Sequence, residues 1–425
     1  MGSWQTVEIL PGIRLHCMQT QKFHSGYFSM ELLRPLRAED ASRNAVLMNV
    51  LRRGTRSCPD MARITERLHE LSGASVNPFL RQMGEAMAIG FQSVFPDDRY
   101  LPGEKRHLEK VLSFCGEMLL DPATRGGLLN DEFVRSERQN LHDRVAALVN
   151  DKRSYARMRM RKLMFSSEPF GVYPLGEAEN ALKVHYQQLT KYYKALLRSA
   201  PMELYYCGSA EPQRVEDAVR DAFLTMPPGQ RAPMPEVGAH PYPGQLRSVT
   251  EEMDVEQGNL VIGCRLVPAG TTDQAALSVF NELFGGGPSS RLFRNVRERK
   301  SLCYSVGSGV ERFKEVMTIS AGISFDKREE IEEAIFAELK EIERGAFSAE
   351  ELETAKRSVA ASYRSGLDDP ASVCAFNLGQ ELKGAVGDLE HLAALSMIVE
   401  AADVQAIAAR MKPELSYFLR KGEGA

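Results

Sequence analysis

The segment of sequence that decides the fold is Phe284 to Val306, which reads FGGGPSSRLFRNVRERKSLCYSV. Three consecutive glycines can adopt positive φ and let the backbone approach a ligand closely; they are Gly285, Gly286 and Gly287. Ser290 can cap a helix that begins there, which places Arg291 in the first turn. Tyr304 follows 13 residues later, near the start of the next predicted strand.

Arg291 and Tyr304 are the candidate binding groups of this segment. An arginine offers a fixed fork of donors with a permanent charge, and a tyrosine offers a neutral phenolic donor. Both suit the binding of a peptide carbonyl or a developing oxyanion. Two plainer interpretations compete. A phosphate-binding loop is disfavoured because no Gly-Lys-Ser/Thr ending follows the glycines, whereas a simple turn between two helices, with Arg291 in solvent, stays open.

Composition limits the class of protein. The 425 residues exceed the usual size of one domain, so we expect at least two cores. A hydrophobic fraction of 43% and a charged fraction of 26% are typical of a soluble globular protein, and the net charge of -4 favours neither nucleic acid nor an anionic membrane. Seven scattered cysteines without a CxxC pair, and the lack of a signal-peptide pattern or a long apolar run, predict a cytoplasmic location.

Two distant segments resemble each other at a constant offset of 230 residues. Gly84 to Ile89 leads to Phe95-Pro96-Asp97, and Lys314 to Ile319 leads to Phe325-Asp326-Lys327. Before each segment come an apolar extended run and then an apolar helical stretch: Tyr27 to Leu33 with Asn44 to Leu51, and Asn259 to Val267 with Ala275 to Phe284. The shared order of elements predicts a duplicated architecture in which helices and strands intermix, an α/β or α+β class.

The proline-rich residues 226–245 separate the two halves, because proline fixes φ and removes backbone donors. The sequence therefore predicts a first half at residues 1–225, a linker at 226–245 and a second half at 246–425. In the second half, Ser348 and Glu351 form a predicted capping box, and Lys327 to Arg344 has one apolar helix face.

The segment from Phe284 to Val306 resembles the second-half signature of the pitrilysin/insulinase family of zinc peptidases, which includes the mitochondrial processing peptidases. The glycine loop, Ser-Ser-Arg-Leu-Phe, Arg297-Glu298 and Leu302-x-Tyr304-Ser305-Val306 follow the family's order. Tyr173-Pro174-Leu175-Gly176 also looks like a family turn. The resemblance implies two homologous halves, each a mainly antiparallel sheet flanked by helices, as in the LuxS/processing-peptidase-like metallohydrolase fold.

The same resemblance implies that the family's zinc helix has degenerated here. The family pattern His-x-x-Glu-His uses two histidines on one helix face to bind zinc and a glutamate as general base. In this sequence the histidine positions fall on Ala45 and Asn49 and the base position on Met48. A third ligand position falls within 142–144, where Asp143 would ligate alone, and no His-x-x-x-His pair among the eight histidines replaces the site.

The resemblance therefore implies a catalytically silent subunit of a heterodimeric peptidase. Arg291, Tyr304, the three glycines and Ser290 would contact the peptide substrate, and zinc would be bound by a family homologue carrying His-x-x-Glu-His. Self-association into a homodimer is the other partner arrangement. A non-proteolytic peptide-binding or scaffold protein of the same fold is the alternative function. An autonomous metalloprotease would require zinc ligands that the sequence lacks.

Overall fold

The protein was analysed as a computed structural model, which describes residues 2–238, 242–268 and 273–422. The chain forms two compact units: Met1–Ala146 with Val172–Glu236, and Ala147–Gly171 with Val237–Ala425. Residues 147–171 precede the proline-rich segment in sequence, yet they belong to the second unit. The division expected from the sequence placed these residues in the first half, 1–225.

The first unit is built around a six-stranded sheet in the order β1-β2-β8-β3-β5-β4. Its strands are β1 (Trp4–Leu10), β2 (Ile13–Gln19), β3 (Ser25–Pro35), β4 (Ser75–Met83), β5 (Ala86–Pro96) and β8 (Met202–Gly208). A separate short hairpin joins β6 (Thr124–Arg125) and β7 (Leu128–Leu129). The helices are α1 (Ala38–Arg52), α2 (Met61–Glu70), α3 (His107–Leu120), α4 (Asp131–Ala146), α6 (Ala178–Leu182), α7 (Tyr186–Ser199) and α8 (Pro212–Ala222).

The second unit contains a five-stranded sheet in the order β11-β12-β10-β13-β9. Its strands are β9 (Arg247–Glu252), β10 (Gly258–Leu266), β11 (Cys303–Glu311), β12 (Val316–Ile323) and β13 (Met411–Arg420). The helices are α5 (Lys152–Met164), α9 (Gln274–Asn281), α10 (Arg328–Glu343), α11 (Ala349–Gly366), α12 (Pro370–Lys383), α13 (Leu389–Met397) and α14 (Ala401–Arg410). Two π-helical segments, Glu282–Gly286 and Leu292–Arg299, lie between α9 and β11.

The two sheets share one topology, which confirms the predicted duplication and the α/β fold class. In the first sheet, β4, β5, β3 and β8 pair antiparallel in that order, and β8 pairs parallel with β2. In the second sheet, β11, β12, β10 and β13 pair antiparallel, and β13 pairs parallel with β9. Strand β1 is the one addition to the first sheet.

One sheet face of each unit packs against helices. In the first unit the core contains Leu15, Met30 and Ile89 from the strands and Met48 from α1. In the second unit, the predicted apolar face of α10 is buried at Ile331, Ala334, Ile335, Leu339 and Ile342. The predicted capping box at Ser348 and Glu351 is also present at the start of α11.

Helix α5 covers the opposite face of the second sheet. Its residues Ala156, Met160 and Met164 join a buried cluster with Val261 of β10 and Tyr417 of β13. By register, Val261 and Tyr417 are neighbours across the sheet, and they take the places that Glu31 and Glu203 take in the first sheet. At these two positions the second sheet presents hydrophobic and aromatic side chains to α5, whereas Glu251 of β9 presents a carboxylate to it.

In the described residues, no single helix is long and apolar enough to cross a membrane. The pair Leu389–Met397 and Ala401–Arg410 passes the criterion of length and composition together, with a bend of 103° between the two helices.

Candidate functional site

The three positions that correspond to zinc-site residues lie on α1 and hold no metal-binding group. Ala45 and Met48 are buried in the core of the first unit, at 1% and 0% exposure. The Asn49 side chain donates a hydrogen bond of 2.8 Å from Nδ2 to the backbone carbonyl of Ala45. The base position is therefore part of the apolar core, and the second ligand position is occupied by an amide that is bonded to its own helix.

The predicted third ligand position lies on α4, where the carboxylate of Asp143 is 64% exposed. Its Oδ1 accepts from Gln139 Nε2 at 2.8 Å and lies 2.9 Å from His142 Nδ1. These hydrogen bonds, with that of His142 the larger contribution, lower the pKa of Asp143. Across residues 2–238, 242–268 and 273–422, no group of three or more His, Cys, Asp or Glu side chains is arranged to hold a metal ion.

The glycine loop forms the end of the first π-helical segment and differs from its predicted conformation. None of Gly285, Gly286 and Gly287 has a positive φ, and Gly287 is extended with φ -156°. The glycines are closely packed instead: a Cβ on Gly286 would lie 2.6 Å from Glu282 Oε2, and one on Gly287 would lie 2.8 Å from Oε1, so a larger residue at either position would displace this carboxylate. The Glu282 carboxylate also accepts 2.7 Å from Ser358 Oγ on α11.

The start of this loop lies against β11. A Cβ on Gly285 would come within 2.6 Å of Ser308 Oγ and 2.9 Å of Leu292 Cδ1. Ser290 is buried, and its Oγ accepts from the backbone N–H of Phe293 at 3.4 Å, as expected of a residue that caps the following helix. Both residues shape the loop, and neither the buried hydroxyl nor the crowded glycine is open to solvent.

Arg291 is tied to two helices of its own unit. Its Nε donates to Glu338 Oε2 of α10 at 2.9 Å, and its Nη1 donates to the carbonyl of Ala346 at 2.7 Å. Glu351 of α11 lies 3.6 Å from Nη1, and the Arg291 side chain is only 12% exposed. Its proposed contact with a substrate stays a prediction, and its guanidinium already neutralises two carboxylates.

Tyr304 stands on a β-bulge. Cys303 pairs with Ile323 and Ser305 with Gly322, so Tyr304 is the extra residue of β11. A bulge redirects the side chain of its extra residue, and Tyr304 is 63% exposed. Its hydroxyl lies 3.2 Å from Ser324 Oγ. The phenol is therefore presented to solvent by a specific distortion of the edge strand.

Arg297 is the residue to which the sequence reasoning gave no role. Its Nε donates 3.1 Å to the backbone carbonyl of Tyr304, and its guanidinium stacks 4.5 Å from the ring centroid of Phe293. These two contacts hold the Arg297 side chain in place, so its positive charge lies next to the backbone of Tyr304. One feature of the sequence could have indicated this role of Arg297: it is spaced i,i+4 from Phe293, and Tyr304 follows seven residues later.

The exposed phenol of Tyr304 and the guanidinium of Arg297 form a small patch of hydrogen-bond donors, and the Cys303 thiol in the same segment is a weak nucleophile. Burial raises the pKa of Cys303 to about 11, and the opposing effect of the Arg297 charge is smaller, so the thiol stays protonated near neutral pH. An exposed phenol and an adjacent guanidinium can donate hydrogen bonds to carbonyl or carboxylate oxygens. Hydrolysis would require an activated water from another source.

Comparison with known proteins points to one family. Residues 183–359 match the family model described as Peptidase M16 inactive domain. The chain is 29% identical over 415 residues to the probable inactive metalloprotease YmfF of Bacillus subtilis, which covers 97% of each protein.

Solved structures share the fold. A conserved protein from Enterococcus faecalis superposes with a TM-score of 0.91 at 23% identity, covering 99% of both chains. A chain of complex III2 from Candida albicans superposes with a TM-score of 0.73 at 11% identity, covering 98% of this chain and 95% of that one. The second match is a component of a larger assembly. The family model and the full-length relative agree that this chain is similar to the pitrilysin-like peptidases of the M16 family, one of which is named a probable inactive metalloprotease.

Proposed function

We propose that this chain is the non-catalytic subunit of a two-chain zinc peptidase and that it supplies peptide-binding groups to a partner that carries the zinc site. One observation carries the proposal. The zinc-helix positions Ala45 and Met48 are buried in an apolar core, whereas Tyr304 is presented to solvent on a bulge with Arg297 beside it. Among the described residues the positions predicted for the zinc ligands and the base form no metal site, whereas the exposed phenol of Tyr304 is open to a ligand.

In this proposal Tyr304 and Arg297 act together on the peptide backbone. The phenol donates to a peptide carbonyl, and the terminal nitrogens of Arg297 hold a second carbonyl or the developing oxyanion. A zinc ion in the partner supplies the activated water. We assign Arg291 a positioning role, because its ion pairs attach the π-helical segment to α10 and α11.

The proposed partner is a family homologue with His-x-x-Glu-His, and the proposed ligand is a peptide. Each copy of this chain has Ala45, Met48 and Asn49 where the zinc ligands and the base would be needed. A homodimer would therefore not complete a hydrolytic site. The proposed location is the cytoplasm.

Reconstitution with such a partner tests the proposal. We expect peptide hydrolysis only when both chains are present, with zinc bound stoichiometrically to the partner. Arg297→Ala should lower kcat/KM while leaving assembly and zinc content unchanged. Arg294→Ala is the matched control, because Arg294 lies on the same helix, is 43% exposed, and approaches only Glu351 at 3.9 Å. Equal activity of the Arg297 variant and wild type would reject the proposed role of this residue.

A second candidate is a scaffold subunit of the same fold with no part in proteolysis. The occupied guanidinium of Arg291 favours it, because one of the two groups expected at the substrate is engaged within its own unit. The two functions differ in one result: a scaffold stabilises its partner without changing the rate at which that partner cleaves peptides.

A further inference from the structure

Helix α5 has a charge pattern unlike that of the rest of the chain. Its 13 residues, Lys152–Met164, contain six Lys and Arg residues and no Asp or Glu. Most of the longer helices carry charges of both signs, as in α10, where Arg328 and Lys340 accompany the acidic residues, and α7 has only three basic residues without an acidic one. A strongly basic helix within a chain of net charge -4 is a local feature that overall composition conceals.

One face of α5 is firmly anchored. Met160 and Met164 pack in the buried cluster on the second sheet, and a Cβ on Gly263 of β10 would meet both of their sulfur atoms. Tyr155 Oη donates 2.6 Å to Glu251 Oε1, and Arg159 Nε donates 2.8 Å to Glu251 Oε2. The helix is therefore a rigid support for whatever its outer face presents.

The outer face carries Arg153, Arg157 and Arg161 at i, i+4 and i+8, and we call these three residues the arginine face. Arg153 and Arg157 are exposed. Among the described residues neither has a carboxylate within ion-pair distance, and the nearby Asp151 caps the helix through Ser154 N–H. Like charges at i,i+4 destabilise a helix, so the stability of α5 does not account for this arrangement.

The arginine face lies on the same side of the sheet as the Tyr304 hydroxyl. Val316 of β12 packs in the cluster beneath α5, and alternate residues of a strand share a face. Ser324 directly follows β12 and is an even number of residues from Val316, so by this alternation it belongs to the same face. Its Oγ lies 3.2 Å from the Tyr304 hydroxyl. Strand β11 is separated from β10, on which α5 lies, by β12 alone, which is roughly 10 Å within the plane of the sheet. The outer face of α5 stands above the sheet by a further helix diameter, roughly 10–12 Å. An extended peptide of about six residues spans both distances.

We propose that the arginine face of α5 binds the Asp or Glu side chains of a peptide whose backbone is held near Tyr304, so that the ligands of this chain are acidic peptides. The inference rests on the proposed function in taking a peptide as the ligand. A guanidinium fork matches a carboxylate and forms charge-assisted hydrogen bonds with it. Because Arg153 and Arg157 are exposed on an anchored helix, no backbone segment has to be ordered when they bind such groups.

Fluorescence anisotropy on the purified chain tests the inference. The probes are a labelled peptide with a glutamate cluster and the same peptide with glutamines in place of the glutamates. At low ionic strength we expect the glutamate peptide to bind about five- to tenfold more tightly, and added salt should reduce the difference. The variant Arg153→Gln/Arg157→Gln should abolish the preference. Arg63→Gln/Arg67→Gln on α2 removes the same charge elsewhere and should preserve it, with circular dichroism verifying the fold.

Four outcomes overturn the inference. They are equal affinity of the wild type for both peptides, an unchanged preference in the α5 variant, an equal loss in the α2 control, and displacement of the peptide by a single-stranded oligonucleotide of equal charge that binds more tightly. If the glutamine peptide still binds in a manner that depends on Arg297, the proposed function survives the failure of the inference. If neither peptide binds, both fail.

Discussion

The guanidinium of Arg297 donates a 3.1 Å hydrogen bond to the backbone carbonyl of Tyr304, at the β-bulge where the tyrosine side chain turns toward solvent. Arg291, on the same helical segment, is instead directed at Glu338 and Ala346. The two arginines are close in sequence and identical in chemistry. Arg297 contacts the backbone of an exposed tyrosine, whereas Arg291 holds the segment in place through its ion pairs.

Replacing Tyr304 with phenylalanine should weaken peptide binding without affecting the fold. The substitution removes one exposed phenolic donor and leaves the backbone bond to Arg297, so we expect a loss of about 0.5–1.5 kcal/mol in peptide affinity. The free energy of unfolding should be unchanged, because Tyr304 is 63% exposed. Tyr100→Phe, at a tyrosine 50% exposed in the first unit, is the control for calorimetric titration. If the Tyr304→Phe and Tyr100→Phe variants bound the peptide with the same affinity, the Tyr304 hydroxyl would have no part in peptide binding.

Replacing Arg291 with alanine should destabilise the second unit. The change leaves Glu338, which is 10% exposed, without its cation, and we expect a loss of about 2–4 kcal/mol in the free energy of unfolding measured by urea denaturation. Arg294→Ala should cost below about 1 kcal/mol, because its contact with Glu351 is long and solvated. If the two variants were equally stable, the positioning role of Arg291 would be wrong.

Replacing Met48 with glutamate should not restore a general base. Met48 has 0% exposure in the core of the first unit, and an ionised carboxylate there would have no partner. We expect a loss of about 3–5 kcal/mol in the free energy of unfolding. Met48→Leu, which conserves volume, should cost below about 1.5 kcal/mol. A glutamate variant as stable as the leucine variant would show that the position is open to water.

The buried carboxyl of Glu31 should make stability depend on pH. Burial raises the pKa of Glu31 above 4.5, and the opposing effects of Arg81 and Ser29 are smaller. A raised pKa means that Glu31 contributes stability when protonated and that this contribution is lost as pH rises through the folded-state pKa. Relative to Glu31→Gln, the wild type should therefore lose unfolding free energy as pH increases above 4.5 in urea titrations. A difference that stays constant or grows with pH would contradict this assignment.

Much of the fold was predictable because the duplication repeats local patterns. The extended run from Tyr27 to Leu33 became β3, and the helical stretch from Asn44 to Leu51 lies within α1. Each pattern reflects burial on one face of a single element. The position of α5 was not predictable, because nothing in its apolar positions Ala156, Met160 and Met164 specifies which of two sheets they cover.

The different contacts made by the residues of the candidate site were not predictable from the sequence. The sequence places Arg291, Arg297 and Tyr304 in one segment, but all arginines present the same donors. Which arginine is paired with carboxylates depends on residues distant in sequence, Glu338 and Glu351, and the bulge at Tyr304 depends on the register against β12. The glycine loop was misread in conformation because the packing of Glu282 against Gly286 has no signature in sequence.

The most direct test of the central claim measures zinc content and peptide cleavage on the purified chain, alone and after assembly with a homologue that carries His-x-x-Glu-His. The account predicts substoichiometric zinc and no cleavage for the chain alone, and cleavage by the pair that falls when Arg297 is replaced with alanine. One zinc per chain with cleavage in the absence of a partner would contradict it.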